Sequence, residues 1–291
     1  METSDLIKKV RKIEIKTRGL SDQIFSGQYH SAFKGKGMAF SEVREYQYGD
    51  DIRSIDWNVT ARFNHPYIKI FDEERELTVM LLIDVSRSNE FGTQKQLKQE
   101  LITELAAVLA FSAIQNNDKV GVIFFSKQVE KYIPPKKGTT HILRIIRELI
   151  NFTPKYNGTD ISDALRYFTN VIKKRSIAFI ISDFLDEGFD DALKIANKKH
   201  DVIALKINDV REKELPDVGL ARMKDAESGL TRWIDTSNTL LRKMYKENKI
   251  KSDKVLNDLF IKCGVDDAEL DTDKDYVKPL MKLFGKRESR W

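Results

Sequence analysis

Three oxygen-bearing side chains follow a continuous apolar run at intervals of two residues. The run covers residues 79–83, and Asp84, Ser86 and Ser88 come directly after it. An unbroken apolar run with β-branched residues at both ends is typical of a strand buried on both faces of a parallel sheet. Because ligands bind beyond the carboxyl ends of such strands, these oxygens are expected on a loop at the ligand-binding edge. Oxygen donors favour Mg²⁺, Mn²⁺ or Ca²⁺ over zinc.

A second apolar run also leads into a carboxylate. Residues 176–182 hold a continuous apolar stretch between two serines, and Asp183 follows them. A turn that contains Thr159 and Asp160 precedes a helical pattern, and either residue is a candidate helix cap. On a parallel sheet, Thr159, Asp183 and Asp84 all reach one edge. The alternative is structural: the two aspartates cap turns or helices, and the hydroxyls bond backbone groups.

The elements that must position these side chains alternate along the chain. From residue 77 onward, strand patterns alternate with helical ones, which predicts an α/β, Rossmann-like fold: a doubly wound, mostly parallel sheet with helices on both faces. We assign residues 76–291 to this domain, with an added β-hairpin at about residues 214–236 and C-terminal helices. Residues 1–75 are assigned to a β-rich N-terminal region packed on it, in which residues 1–24 fit a helix passing into an extended segment.

The composition is that of a globular protein with a sizeable core. The 291 residues are 41% hydrophobic, and no run approaches the roughly 18 apolar residues that span a bilayer. The N-terminus carries Glu2 and Asp5 where a signal peptide needs basic and then apolar residues, so we expect a cytoplasmic protein. The single cysteine, Cys263, excludes an internal disulfide, and the four scattered histidines lack zinc-ligand spacing.

The net charge of +5 raises the possibility of nucleic-acid binding. Basic residues are mixed with acidic ones almost everywhere, apart from short basic stretches at residues 8–18 and 285–291. These stretches are interpreted as solvated surface, with an acidic partner or a membrane surface as the alternative. Since the chain has neither a continuous basic track nor an aromatic-and-basic recognition motif, nucleic-acid binding is disfavoured.

Opposite charges are interleaved with apolar residues between residues 44 and 62. One interpretation is a charge-paired structural network, and the other is a docking surface for a second protein. The charged residues of this candidate docking surface are Arg44, Asp50, Asp51, Arg53, Asp56 and Arg62.

The order of donors at the strand ends resembles the von Willebrand factor A domain and its metal-ion-dependent adhesion site, whose pattern is Asp-x-Ser-x-Ser, then Thr, then Asp. The matching positions are Asp84, Ser86, Ser88, Thr159 and Asp183. The resemblance implies an A-like fold and a divalent cation, preferably Mg²⁺, held by hydroxyls and carboxylates. It also implies that the ion accepts an acidic group of a partner and serves binding without catalysis.

A second resemblance covers residues 13–287. The motifs at residues 44–46, 49–57 and 61–62, with Glu74 before Asp84, are similar to the bacterial family called domain of unknown function 58. Members of that family carry an A-type domain and are typically encoded beside MoxR-type ATPases of the AAA+ class. The resemblance implies an adaptor or chaperone-like partner of such an ATPase, acting on a client protein.

Metal-assisted phosphoryl transfer is the enzymatic alternative, because an aspartate at a strand end beside hydroxyls and Mg²⁺ also serves phosphatases. Phosphatases of the haloacid dehalogenase type usually have a second aspartate two residues after the first, where this chain has Ser86. The chain also lacks a Walker-type phosphate loop, a nucleophile elbow and a catalytic triad. We therefore expect a protein that is not an enzyme.

Overall fold

The computed structural model describes residues 39–72, 76–90, 97–224 and 231–288. The described residues divide into two compact units, an N-terminal unit within residues 33–77 and a sheet unit that contains the described residues from 78 onward. The helix expected within residues 1–24, Glu74 of the sequence motif and the predicted hairpin turn at residues 225–229 lie outside the described residues.

The N-terminal unit is built around one antiparallel strand pair. Its elements in chain order are β1 (Ala39–Glu45), a 3-10 helix (Ile52–Ser54), α1 (Trp57–Phe63) and β2 (Tyr67–Asp72). The two strands pair with one irregularity in register, between Phe40 and Glu42. Helix α1 ends where Asn64 adopts a left-handed backbone conformation, with a φ of 57°, which ends a helix because the next amide can no longer continue its hydrogen-bond ladder.

The sheet unit alternates strands and helices as the sequence predicts. Its strands are β3 (Thr78–Asp84), β4 (Lys119–Phe125), β5 (Val129–Lys136), β6 (Ile177–Ser182), β7 (Asp201–Asn208), β8 (Leu220–Lys224), β9 (Thr231–Asp235) and β10 (Asp266–Asp271). Its helices are α2 (Lys98–Gln115), α3 (Thr139–Ile150), α4 (Ile161–Val171), α5 (Asp190–Lys199), α6 (Val210–Lys213), α7 (Thr239–Cys263) and α8 (Val277–Glu288). A further 3-10 turn covers Arg87–Glu90.

Six strands form the central sheet in the order β10-β7-β6-β3-β4-β5. All neighbouring pairs are parallel except β4 and β5, which are antiparallel. From β3 the chain continues to β4 on one side, and it later returns to β6 on the other side. The loops that leave β3 and β6 therefore diverge, which opens a crevice between their carboxyl ends, the place where ligands bind in doubly wound sheets.

Helices cover both faces of this sheet, because successive strand side chains point in opposite directions. Ile180 of β6 belongs to the apolar cluster formed with α4, α5 and α7, which includes Phe168 and Phe260. Its neighbour Phe179 packs against Phe284 of α8 on the opposite face, with ring centroids 6.4 Å apart. The apolar residues of β3 are fully buried, as expected for a strand covered on both faces, and the predicted fold class is confirmed.

One strand differs from the sequence-based expectation, and one predicted feature is confirmed. Strand β10 was not predicted: it is an acidic segment in which Ala268 and Leu270 are buried while Asp267 and Glu269 are exposed. The predicted hairpin is present as the antiparallel pair β8 and β9. Among the described residues, no helix combines the length and the apolar character needed to cross a bilayer.

Gly121 of β4 marks a close approach between neighbouring strands. A Cβ at this position would lie 2.7 Å from Met80 Sδ and 2.9 Å from the backbone nitrogen of Pro135. We expect Gly121→Ala to lower the free energy of unfolding by about 1–3 kcal/mol, because the backbone of β5 would have to shift. Urea unfolding measures the change.

Gly285→Ala is the matched control for this substitution. Gly285 lies within α8, and a Cβ added there meets nothing within 4 Å, so alanine should raise stability by up to about 1 kcal/mol. If Gly121→Ala were as stable as the unmodified protein, the close strand contact would not constrain the sheet.

Candidate functional site

The crevice between β3 and β6 brings two carboxylates together. Ile83 pairs with Ile181 in the parallel register, so Asp84 and Asp183 leave neighbouring strand ends. Asp84 is 1% exposed and Asp183 is 3% exposed. Two carboxyl groups are thus enclosed at the edge of the sheet where the sequence places a ligand site.

The loop after β3 is organised by Asp84 itself. Asp84 Oδ1 accepts a hydrogen bond from the backbone N–H of Ser86 at 2.9 Å, and Asp84 Oδ2 accepts one from the Ser182 hydroxyl at 2.6 Å. The backbone N–H of Val85 donates to the carbonyl of Phe125, which ties the loop to the end of β4. These bonds turn the Ser86 and Ser88 hydroxyls together, with 2.9 Å between their oxygens.

Backbone hydrogen bonds bring Thr159 to the same edge. The N–H of Asp160 donates to the carbonyl of Ser126, directly after β4, at 2.9 Å. The N–H of Ile161 donates to Asp186 Oδ2, in the loop after β6, at 2.8 Å. The cap of α4 is Asp160, whose side chain accepts from the N–H of Asp163. Thr159 is therefore held between the loops that follow β4 and β6.

Glu130 positions the loop that leads to Thr159. A single oxygen, Glu130 Oε1, accepts from the Ser126 hydroxyl at 2.7 Å and from the backbone N–H groups of Lys155 and Tyr156 at 2.9 and 3.1 Å. A carboxylate that accepts several bonds is a strong local anchor because charge-assisted hydrogen bonds are shorter and stronger than neutral ones. The loop is thereby fixed to the start of β5.

Lys98 is enclosed with these carboxylates. It is the first residue of α2, its side chain is 0% exposed, and its Nζ lies 3.1 Å from Asp183 Oδ2 and 2.5 Å from Glu212 Oε1. Burial alone would lower the pKa of Lys98, but the charges of Asp183 and Glu212 raise it. The ammonium group therefore stays charged and neutralises part of the negative charge of the crevice.

The two carboxylates repel each other. Burial, together with the nearby charge of Asp183, raises the pKa of Asp84 from 3.8 to about 7, although the hydrogen bonds from Ser182 and Ser86 favour its ionised form. A buried carboxylate held in this way is stabilised by a cation placed beside it. The electrostatics of the crevice thus fit a divalent ion.

The donor set also fits such an ion. Among the described residues, no three His, Cys, Asp or Glu side chains cluster as metal ligands, so an ion bound here would need hydroxyl ligands as well. Adjacent ligands of an octahedral Mg²⁺ lie about 3.0 Å apart, and the two serine oxygens are 2.9 Å apart. The same 2.9 Å is the length of a hydrogen bond between the two hydroxyls, so it does not distinguish Mg²⁺ from Ca²⁺.

A narrow pocket adjoins Asp84 and Ser86. Its apolar walls come from α2, the end of α3 and the segment that follows α3. These wall residues are Ile102, Leu149, Phe152 and Pro154. Apolar walls lower the local dielectric constant, which strengthens electrostatic interactions at the neighbouring carboxylate.

The residues of the candidate docking surface separate into two groups. Arg44 donates two hydrogen bonds to Asp50, at 2.9 and 2.8 Å, and Asp51 accepts from the backbone N–H of Arg53. Asp56 caps α1 and forms an ion pair with Lys69 at 3.4 Å. The aspartates and Arg44 are therefore used within the N-terminal unit.

Arg53 and Arg62 form the second group. Both side chains are exposed, and they have no hydrogen-bond or ion-pair partner for their side chains among the described residues. Ile52 and Trp57 are 66% and 68% exposed beside them in sequence. Arginine and tryptophan are the residue types that contribute most to protein interfaces.

Sequence reasoning did not identify Lys98, Glu130, Ser182 and Glu212 as parts of this site. Ser182 had a usable signal, since it precedes Asp183 at a strand end. The signal for Lys98 was weak: a cation in the first turn of a helix is repelled by the helix dipole, so a buried lysine there needs a negative charge beside it. Nothing in the sequence near Glu130 or Glu212 indicates contact with the strand ends.

Sequence comparison finds a family model and a relative that each match most of this chain. The family model described as "Protein of unknown function DUF58" matches residues 42–255. An uncharacterized protein of Mycobacterium tuberculosis is 28% identical over 281 residues, which cover 96% of this chain and 88% of that protein.

Two solved structures are also similar. An aerotolerance-related membrane protein from Bacteroides fragilis has a TM-score of 0.50 at 17% identity, covering 74% of this chain and all of that chain. The conserved hypothetical protein BatB from Bacteroides thetaiotaomicron has a TM-score of 0.48 at 18% identity, covering 73% of this chain and 99% of that chain. At this identity the first likeness concerns the fold alone, and it agrees with the von Willebrand factor A-like architecture described above.

The raised pKa of Asp84 predicts how stability depends on pH in the presence of a chelator. The folded protein retains a proton on Asp84 at pH values where the unfolded chain has lost it, so stability falls as the pH rises from about 4 to 7. Asp84→Asn keeps the shape and removes the charge. In the presence of a chelator at pH 8, we expect this variant to be more stable than the unmodified protein by about 1.4 kcal/mol per unit of pKa shift. At pH 5 the difference in the free energy of unfolding between the two proteins should be smaller.

Thermal unfolding at pH 5 and pH 8 measures both proteins. Asp217→Asn is the control, because Asp217 is 59% exposed and pairs with Arg242. A difference between Asp84→Asn and the unmodified protein that stays constant between pH 5 and pH 8 would contradict the repulsion between the two carboxylates.

Proposed function

This chain belongs to the family described as Protein of unknown function DUF58, and we propose that it is a non-catalytic module that binds a protein partner through a divalent cation. The observation that carries the proposal is the crevice between β3 and β6. It places two buried carboxylates beside a pair of hydroxyl oxygens 2.9 Å apart. Protein interaction is the general role that the A-like fold supports.

Five residues would hold the ion. They are the predicted ligands Asp84, Ser86, Ser88, Thr159 and Asp183. We propose Mg²⁺ as the ion, with Mn²⁺ and Ca²⁺ as alternatives. When bound, the ion supplies an electrophilic centre that accepts a carboxylate from the partner. The hydroxyl ligands are neutral, so they orient the ion without cancelling its charge.

The chemistry of the crevice defines the partner's contact residue. An acidic side chain matches a cation whose charge the neutral hydroxyl ligands do not cancel.

A MoxR-type AAA+ ATPase, together with a client protein, is the proposed partner. The resemblance of the motif at residues 49–57 to the family supports this choice. ATP is available in the cytoplasm, and we therefore propose that the protein works there. The candidate docking surface supplies a second contact through Arg53 and Arg62, and the ion-dependent contact lies in the sheet unit.

The Asp84→Ala variant tests the role of the ion. We expect the unmodified protein to bind Mg²⁺ saturably in isothermal titration calorimetry and the variant to lose that binding, because it loses a ligand that is 1% exposed. In pull-downs with the purified MoxR-type ATPase of the same organism, the complex should form in Mg²⁺ and disappear in chelator and in the variant.

Two controls accompany this experiment. Asp217→Ala removes an exposed carboxylate and should change neither measurement, and circular dichroism checks that Asp84→Ala is folded. Magnesium binding without ion-dependent association would reject the proposed contact. Association that is equal in every condition would reject it as well.

Charge reversal tests the second contact. Arg53→Glu combined with Arg62→Glu should weaken association with the ATPase at least tenfold, because both side chains are exposed and available to a partner. Arg44→Ala serves as the contrast, since it breaks the bidentate pair with Asp50 and should lower the stability of the N-terminal unit. Unchanged affinity in the charge-reversal variant, measured by surface plasmon resonance, would exclude these arginines from the interface.

A further inference from the structure

We propose that Lys98 is a built-in cation of the site, which holds Asp183 in the absence of a divalent ion and competes with that ion for the carboxylate. This inference rests on the proposed metal site and deepens it, since it assigns the residue that sets the affinity of the site for the ion. Lys98 acts through Asp183, so it is a positioning residue and not an ion ligand.

The placement of Lys98 is unfavourable by itself. Its side chain is fully enclosed, and the N-terminus of α2 presents the positive end of the helix dipole to its ammonium group. Only the carboxylates of Asp183 and Glu212, at 3.1 and 2.5 Å from Nζ, offset these two costs. The ammonium group of Lys98 therefore interacts with the acidic side chains and does not reach solvent.

The charges of the cluster explain what the lysine does. The ammonium group of Lys98 pairs with the buried Asp183 and with Glu212, which is 21% exposed, and Asp84 lies beside Asp183. With all three carboxylates ionised the cluster carries two excess negative charges, which a divalent cation neutralises. Without Lys98 the excess would be three, and the attraction for a divalent cation would be stronger.

Glu212 determines how strongly Lys98 holds Asp183. The ammonium group is shared between the two carboxylates, and Glu212 Oε2 also accepts from the backbone N–H of Asp209 in the capping box of α6. Removing the charge of Glu212 would leave Lys98 bound to Asp183 alone. Substitutions at positions 98 and 212 should therefore change the ion affinity in opposite directions.

The experiment is a calorimetric titration with Mg²⁺, repeated with Mn²⁺ and Ca²⁺, on full-length variants. We expect Lys98→Met to bind the ion at least tenfold more tightly than the unmodified protein and to show a larger ion-induced rise in melting temperature. Glu212→Gln should bind the ion more weakly. This second variant keeps the proposal testable even where Lys98→Met fails to fold.

Lys206→Met is the matched control. Lys206 lies in β7, is 5% exposed, and pairs with Asp253 of α7 at 2.6 Å. Replacing it also removes a buried ion pair, so stability should fall, but the affinity for the ion should stay unchanged. A purely structural role for Lys98 predicts this same pattern for Lys98→Met.

The outcomes separate this inference from the proposed function. Tighter binding in Lys98→Met with weaker binding in Glu212→Gln supports it. Binding that is unchanged or weaker in Lys98→Met, while the unmodified protein binds, overturns it and leaves the metal site standing. If only Lys98→Met binds an ion, the lysine replaces the ion permanently, which supports the inference and rejects the ion-mediated contact. If neither protein binds any of the three ions, both proposals fail.

Discussion

The repulsion between Asp84 and Asp183 is the interaction on which the site depends. Neighbouring parallel strands end side by side, and both carboxylates are enclosed there without bulk water. Asp84 accepts hydrogen bonds from Ser86 and Ser182, whereas Asp183 pairs with the ammonium group of Lys98. The ammonium group therefore offsets part of the negative charge of Asp183 directly.

Side-chain packing fixes the backbone beside these carboxylates. Phe184, which follows Asp183, adopts a left-handed conformation with a φ of 54°, which is rare for an aromatic residue. Its ring is held by contacts with Phe189 and Phe260, at centroid distances of 6.1 and 5.3 Å. A strained residue of this kind persists only where its surroundings define it. Together with the anchoring of the Thr159 loop by Glu130, this packing preorganises the donors.

The residues that sequence reasoning could place are those whose position follows from periodicity. Asp84 and Asp183 end continuous apolar runs, so a parallel sheet brings them to one edge, and Thr159 precedes a helix whose start faces the same edge. Strand β10 was not predicted because acidic residues alternate with Ala268 and Leu270 and interrupt the apolar pattern. It pairs with β7, which lies far away in the sequence.

The site residues that the sequence did not predict come together for a different physical reason. Lys98 and Glu212 are separated by more than one hundred positions and meet only through the tertiary fold. Lysine at the start of a helix ordinarily extends into solvent, so no local pattern distinguishes one that is buried. Likewise, the charges between residues 44 and 62 permit both a structural network and a docking surface. The structure pairs Arg44 with Asp50 and leaves the side chains of Arg53 and Arg62 exposed.

The enclosed charges also bear on why this crevice exists. Replacing a buried ion pair by apolar residues of similar volume is often neutral or stabilising, so such pairs are weak contributors to stability. Here Asp84, Asp183, Lys98 and Glu212 lie together at a strand edge whose neighbouring walls are apolar, and an apolar core would be simpler to form. Burying charged groups costs stability, and here they lie where the strand order of the sheet reverses. Ligand binding explains their presence better than stability does. On the proposed function, the pairing of Lys98 with Asp183 limits the excess negative charge that a divalent ion would neutralise.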